Sequence, residues 1–281
     1  MSEQPGSGSG ASEDPSQQAQ WDVIAADYEV LAEPFTRQYA EAALSLAGGV
    51  RTGEKVLDVA AGTGSLTLPA ARAGAHVLGI DSSPGMVARL SSRLAEEGFD
   101  GSEARVMDGQ TLNLAAASFD AAFSIFGAVL FPDWRRGLAE LARVVRPGGR
   151  GCVAVWARAE GGGVFPVFHE TYRRVFPDAA PPLTPPGMAR LMDVDVLNAE
   201  MAAAGFRDVV VHTVGGAYQA SSAAWMVENT DRMFRFIPLY SALDEPDRTR
   251  LTEALRVAWE RHERPEGVRL PSNAHVAIGR R

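Results

Sequence analysis

One cysteine, Cys152, is present in 281 residues, so neither a disulfide framework nor a cysteine-rich metal site can form within one chain. The five histidines are scattered without the i, i+4 spacing of a helical metal site, and no metal is expected. No apolar run approaches the ~20 residues of a membrane span, because charges or prolines interrupt each one. The first residues, "MSEQPGSGSGASEDPSQQ", lack both the basic start and the apolar core of a secretory signal, which points to the cytoplasm. Basic residues are in deficit, 27 against 35 acids, for a net charge of −8. Neither nucleic acid nor an anionic membrane is therefore an expected partner. Pairs such as Arg135–Arg136 and Arg173–Arg174 read as solvated helix faces.

What remains is a chain with 46% hydrophobic residues, enough for a substantial core. Residues 1–18 have the composition of a disordered arm. Residues 19–50 carry helical periodicity, broken at Pro34 and stopped at Gly48–Gly49. From 51 to 157 the texture becomes strand, turn, helix, repeated: "KVLDVAA", "HVLGID", "EARVMDG", "FDAAFSIFG" and "RGCVAVWA" are strands, and "RPGG" stops the helix "WRRGLAELARVV" before the last of them. Short connections and apolar strands imply parallel pairing with helices on both faces, a doubly wound α/β core. Residues 158–192 and 217–270 read as insertions over this core, with a helix and strand in 193–216 and a closing strand in 271–281.

In such a sheet, ligands bind beyond the carboxyl ends of the strands. The turn "AAGTG" after the first strand brings Ala60, Gly62, Thr63 and Gly64 there, with glycines that tolerate positive φ and a close ligand. Seventeen residues after Gly64 the second strand ends in Asp81, an acid able to accept both hydroxyls of a ribose. The third ends in "VMDG", where Asp108 suits an exocyclic amine and Met107 a ring face. Thr67 stands where a dinucleotide loop would place its last glycine, and Asp58 lies just before the loop. An acid there suits an ammonium group far better than a diphosphate. The ligand so described has an adenine, a ribose and an amino-acid tail; an NAD(P)-dependent oxidoreductase is the weaker alternative.

The segments "VLDVAAGTGSL", "VLGIDSSPGMV", "ARVMDGQTL", "FDAAFSIFGAVLFPD" and "LARVVRPGGRGCVAVWA", with "WDVIAADYE" upstream and "AAGFRDVVV" downstream, resemble class I S-adenosylmethionine (SAM) dependent methyltransferases. The similarity is to the small-molecule group containing the ubiquinone and menaquinone enzymes. It implies a mostly parallel seven-stranded sheet with helical lids and SAM as cofactor, S-adenosylhomocysteine being its product. It puts methionine along Ala60, Gly62 and Gly64, ribose on Asp81, and adenine near Ser82, Met86, Met107, Asp108 and Gly109. Ser124, Ile125 and Phe126 fall beside the methyl group, and Tyr28 matches an aromatic that covers the cofactor.

The family has no fixed catalytic residue, because the sulfonium methyl is already activated and needs mainly an aligned acceptor. His169, on the first lid helix, is the candidate base, with Tyr28 second. The site after the fourth strand reads "SIFGAVLF", without the Pro-Pro-aromatic motif of base-amine methylation, and Asp133 alone is too few acids for a metal-assisted transfer. A small-molecule O-, N- or C-methyltransferase follows, acting on an apolar or aromatic acceptor of quinone-like or natural-product type, as a monomer or homodimer. Use of SAM for a non-methylating reaction is the alternative. Arg173, Arg232 and Arg235 are candidates for an anionic group on the acceptor.

Overall fold

The computed structural model describes residues 15–181 and 184–281; most of the expected N-terminal arm lies outside the described residues. Two helices, α1 (Pro15–Leu31) and α2 (Glu33–Leu46), lead into β1 (Lys55–Val59), α3 (Thr67–Arg72), β2 (His76–Asp81), α4 (Pro84–Glu96), β3 (Glu103–Val106), β4 (Phe119–Ile125), α5 (Trp134–Val144) and β5 (Val145–Trp156). After these come α6 (Phe165–Val175), α7 (Pro186–Leu191), α8 (Val194–Ala203) and β6 (Arg207–Ala220). Four helices follow, α9 (Ala223–Glu228), α10 (Thr230–Phe234), α11 (Pro238–Ser241) and α12 (Glu245–Glu260), then a hairpin of β7 (Glu263–Arg264) and β8 (Gly267–Arg280).

Strand order is β3-β2-β1-β4-β5-β8-β6, with β7 paired only to β8. The five strands from β3 to β5 are parallel; β8 runs antiparallel between β5 and β6. Because β1 sits between β2 and β4, the chain reverses its winding there, and a crevice opens at the carboxyl ends of these strands. The strands alternate faces with period two. Cys152, Ala154 and Trp156 join the core under α2, α3 and the lid helices, while Val153 and Val155 join the core under α5 and α8. A sheet covered on both sides must be apolar on both, which is why these strands lack a polar alternation.

Helix starts follow local chemistry. Ser83 Oγ accepts from Met86 N at 3.1 Å and Pro84 occupies the first turn of α4; Asp133 Oδ1 accepts from Arg136 N at 3.1 Å to open α5. Helix α5 ends at Val144, just before "RPGG", as the sequence suggests, but the segment does more than stop a helix. It lies within the first residues of β5, between Val145 paired to Phe119 and Arg150 paired to Ala121, where the register with β4 shifts. The glycines let the chain bulge without losing the ladder.

Candidate active site

Two non-glycine residues at adjacent strand ends hold positive φ: Ala60 after β1 (58°) and Phe126 after β4 (64°). Such backbones carry strain that the surroundings must hold, and they concentrate at functional sites. Phe126 is held by stacking on Trp156 (ring centroids 3.7 Å apart), which stacks in turn on Phe35 (5.2 Å). Tyr39 meets all three rings edge-on, and its hydroxyl donates to Ser272 O at 3.0 Å. Gly62 and Gly64 have φ of 54° and 106°. At Gly64 a Cβ would also lie 2.7 Å from Leu90 Cδ1, so glycine is required there by space as well as by conformation. The loop is fastened by Ala61 N donating to Ile80 O (2.9 Å) and by Arg93 donating to Thr63 O (2.7 Å).

Asp81 organises the second strand end. Its Oδ2 accepts from Gly62 N and its Oδ1 from Ser83 N, both at 2.9 Å. Burial raises its carboxyl above the usual range, and the backbone donors oppose that. A carboxylate has about four lone-pair positions, so Asp81 keeps acceptor capacity for ligand hydroxyls while being locked in place. Thr63 Oγ1, in the same loop, is buried without a hydrogen-bond partner. An unsatisfied buried hydroxyl costs about 1–3 kcal/mol, which a polar ligand group would remove. The donor set and the orphaned hydroxyl fit a ribose-bearing ligand with a polar tail.

Helix α1 lies across this crevice. A Cβ placed on Gly62 would be 3.6 Å from Tyr28 Cε1, so the Tyr28 ring covers the loop, edge-on to Trp21 at 6.0 Å. Burial pushes the Tyr28 phenol up to about 12, so it stays protonated near neutrality and can donate a hydrogen bond but not act as a base. Asp22 Oδ1, a residue that the sequence did not single out, accepts from Ser83 Oγ (2.5 Å) and Gly85 N (2.7 Å). Its only sequence signal was its place in "WDVIAADYE", among helical residues with no mark of a distant partner.

Other expected residues have more local roles. Asp58 is 2% exposed and its Oδ2 accepts from Thr67 Oγ1 at 2.7 Å; burial pushes its carboxyl up to about 7. Asp108 accepts from Gln110 N (2.8 Å), Gln110 Nε2 (3.1 Å) and Thr111 Oγ1 (3.2 Å), thereby capping the turn after β3. Gln110, also unforeseen, is buried and accepts from Asp133 N, tying that turn to α5. Met107 N donates to Asp81 O, which joins the ends of β3 and β2. Gly109 packs so closely on Phe131 and Val59 that no side chain fits, and Met86 is buried on α4. Ser82 links Asp81 to the α4 cap. Ser124 is fully buried and accepts from Ala128 N at 3.0 Å, so it caps the turn after β4, and Ile125 is buried beside it.

The lid residues divide. Phe168, Tyr172, Met226, Met233, Phe234 and Tyr240 are buried with Leu251, Leu255 and Trp259 of α12, as packing of the lid itself. Phe165 and Phe236 are half-buried, 6.3 Å apart, with Phe236 5.7 Å from Trp21. His169 lines a separate cavity of about 220 Å³ with Tyr172, Arg173, Phe176 and a proline-rich loop, none of them a residue of the strand-end loops. Burial lowers its basicity, and its Nδ1 has no partner. Arg232 and Arg235 are engaged by Asp27, and Arg173 lies 3.8 Å from Glu160, so none of the three is an unpaired cation. Among the described residues no group of three or more His, Cys, Asp or Glu is arranged to hold a metal ion, and no helix is long and apolar enough to cross a membrane.

Residues 56–149 match the family model described as a methyltransferase domain. An uncharacterized protein of Mycobacterium tuberculosis, Rv1403c, is 36% identical over 155 residues, covering 55% of this chain and 56% of the relative. A demethylmenaquinone methyltransferase of Corynebacterium glutamicum is 41% identical over 135 residues, covering 47% of this chain and 54% of that one. The chain thus spans about half the length of the curated relatives it matches. A solved phosphoethanolamine N-methyltransferase of Haemonchus contortus, crystallised with S-adenosylhomocysteine, shares the fold at a TM-score of 0.57 and 17% identity, covering 92% of this chain and 57% of that one. With the matched segment running from β1 through the "RPGG" that opens β5, and the glycine loop and Asp81 at its strand ends, residues 56–149 form a methyltransferase domain, and the chain is similar to the class I SAM-dependent methyltransferases.

Proposed function

We propose that this chain transfers the sulfonium methyl of SAM to an O, N or C atom of an apolar small molecule, of quinone-like or other secondary-metabolite type. The observation that carries the reading is the convergence of the strained Ala60–Gly64 loop, the anchored Asp81 carboxylate and the Phe126 turn at neighbouring strand ends. Bound SAM would supply an electrophilic methyl, so the residues need only orient and dry the site. Asp81 is assigned the ribose; Ser82, Met86, Met107, Asp108 and Gly109 surround the adenine; Ala60, Gly62, Thr63 and Gly64 follow the methionine. In this reading Asp58 answers the methionine ammonium from behind the loop, through Thr67. Tyr28 excludes water from above, and Ser124, Ile125 and Phe126 form the floor on the acceptor side.

Support for an apolar acceptor comes from Trp21, Phe165 and Phe236, half-buried aromatics beside the cover, and from the identity to a demethylmenaquinone methyltransferase. His169 lines a cavity apart from the strand-end loops, so in this reading it is the base only for an acceptor that extends into that cavity and loses a proton. The test is calorimetry with SAM and S-adenosylhomocysteine, followed by incubation of methyl-labelled SAM with a demethylmenaquinone analogue and other quinols. Binding below 1 mM and label in an extracted product support the proposal; absence of cofactor binding refutes it.

A further inference from the structure

Helix α1 is fastened on two sides to elements far away in the chain. Toward the cofactor crevice, Asp22 accepts from Ser83 and Gly85 at the start of α4, and Glu29 pairs with Arg89 of the same helix. The approach is close enough that a Cβ on Gly85 would lie 3.0 Å from the Asp22 backbone. Toward the lid, Asp27 is 9% exposed and accepts from Arg232 Nε at 2.8 Å and from Arg235, both on the α10 segment. Arg232 also donates to Asn229 Oδ1 at 2.8 Å, the buried joint between α9 and α10. Asp27 immediately precedes Tyr28, whose ring covers Gly62.

We propose that Asp27 is a positioning residue that couples the cofactor site to the acceptor lid, so that filling the first orders the second. The proposal rests on the cofactor reading above. Helices α9, α10 and α11 have six, five and four residues, too short to hold their conformation without external contacts. Ala223 N of α9 donates to Glu263 of β7 and Ser241 O of α11 accepts from Arg248 of α12, but the ion pairs that join this segment to α1 are those of the Asp27 clasp. A ligand that holds Tyr28 and the α4 cap in place holds α1, and α1 holds α10. Linkage is reciprocal, so an ordered lid must also tighten the cofactor. Release of the clasp separates the two sites without removing any residue from either.

The experiment is amide hydrogen exchange on the full chain, with and without saturating S-adenosylhomocysteine, together with its Kd by calorimetry. In the wild type the ligand should slow exchange in α1 and in residues 223–241. In Asp27→Asn, protection of the glycine loop and α4 should remain while that of 223–241 is lost, with Kd weakened about threefold to tenfold. Arg232→Gln/Arg235→Gln attacks the same clasp from the lid side and should give the same separation, while Asp27→Glu should restore part of the lid protection. Urea midpoints confirm that each variant is folded at the temperature used. Ligand-dependent protection of 223–241 in Asp27→Asn equal to wild type overturns the proposal, as does a wild-type lid indifferent to the ligand. A wild type that binds no S-adenosylhomocysteine overturns the cofactor reading, and the coupling with it.

Discussion

Gly127 gives the sharpest test of how the crevice is built. A Cβ added there would lie well under 3.0 Å from Ala60 Cβ. Carbon atoms rest at about 3.5–4.0 Å, so the turns after β1 and β4 would have to part by on the order of 1 Å. Neither methyl can rotate away, since both sit directly on backbones, and Ala60 is already strained at φ 58°. Overpacking of this kind costs about 1–3 kcal/mol. The parted turns are also the two that would flank the transferred methyl, and an ångström of misplacement there costs about a hundredfold in rate. Gly127→Ala should therefore lower stability by about 1–3 kcal/mol in urea titrations and weaken S-adenosylhomocysteine binding measurably in calorimetry. Ala60→Gly removes the opposing methyl and leaves a glycine in a left-handed backbone that suits it. In that background the nearest remaining atoms are Ser124 Oγ at 3.3 Å and Ala60 Cα at 3.5 Å, so Gly127→Ala should cost at least about 1 kcal/mol less than in the wild type. Strict additivity of the two substitutions would refute the contact as the cause.

The other predictions concern the charged and aromatic groups. Asp81→Asn sets an amide NH₂ against one of the two backbone donors that the carboxylate now accepts from, so S-adenosylhomocysteine affinity should fall about tenfold to a hundredfold in calorimetry. Asp58 has a folded-state pKa of about 7 against an ordinary 3.8, so the folded state holds a proton that the unfolded chain has lost. The resulting stability is complete below about pH 4 and disappears as pH rises through 7; Asp58→Asn should flatten this slope, as urea midpoints at pH 5 and pH 8 would report. Tyr28→Ala should weaken S-adenosylhomocysteine binding by about tenfold through loss of the cover, and Tyr28→Phe by under about threefold. With the phenol near 12, the rate profile between pH 7 and 9 should be the same for Tyr28→Phe and wild type.

The parallel core was legible because its signals are local. Apolar strands, glycine turns and capped helices such as Ser83–Pro84 declare themselves within a few residues, and the acid Asp81 falls at a strand end by simple counting. "RPGG" does stop α5, but β5 begins at Val145 and not after the glycines: proline and glycine weaken strand propensity, yet pairing to β4 around a bulge overrides it. Asp108, expected beside an adenine, also accepts from its own turn, a local role that spacing alone does not announce.

The sequence by itself determined the winding of the sheet, the glycine loop and the acids beside it, since each depends on short-range propensity and periodicity. Tertiary structure alone decided that Asp22 caps a helix 63 residues away and that Asp27 reaches Arg232 across 205 residues. It also decided that Arg232 and Arg235 answer an acid of the protein itself, and that Phe126 is held in a strained backbone by Trp156. Such pairings are set by where the layers come together in space, and nothing in the local run of residues carries that distance.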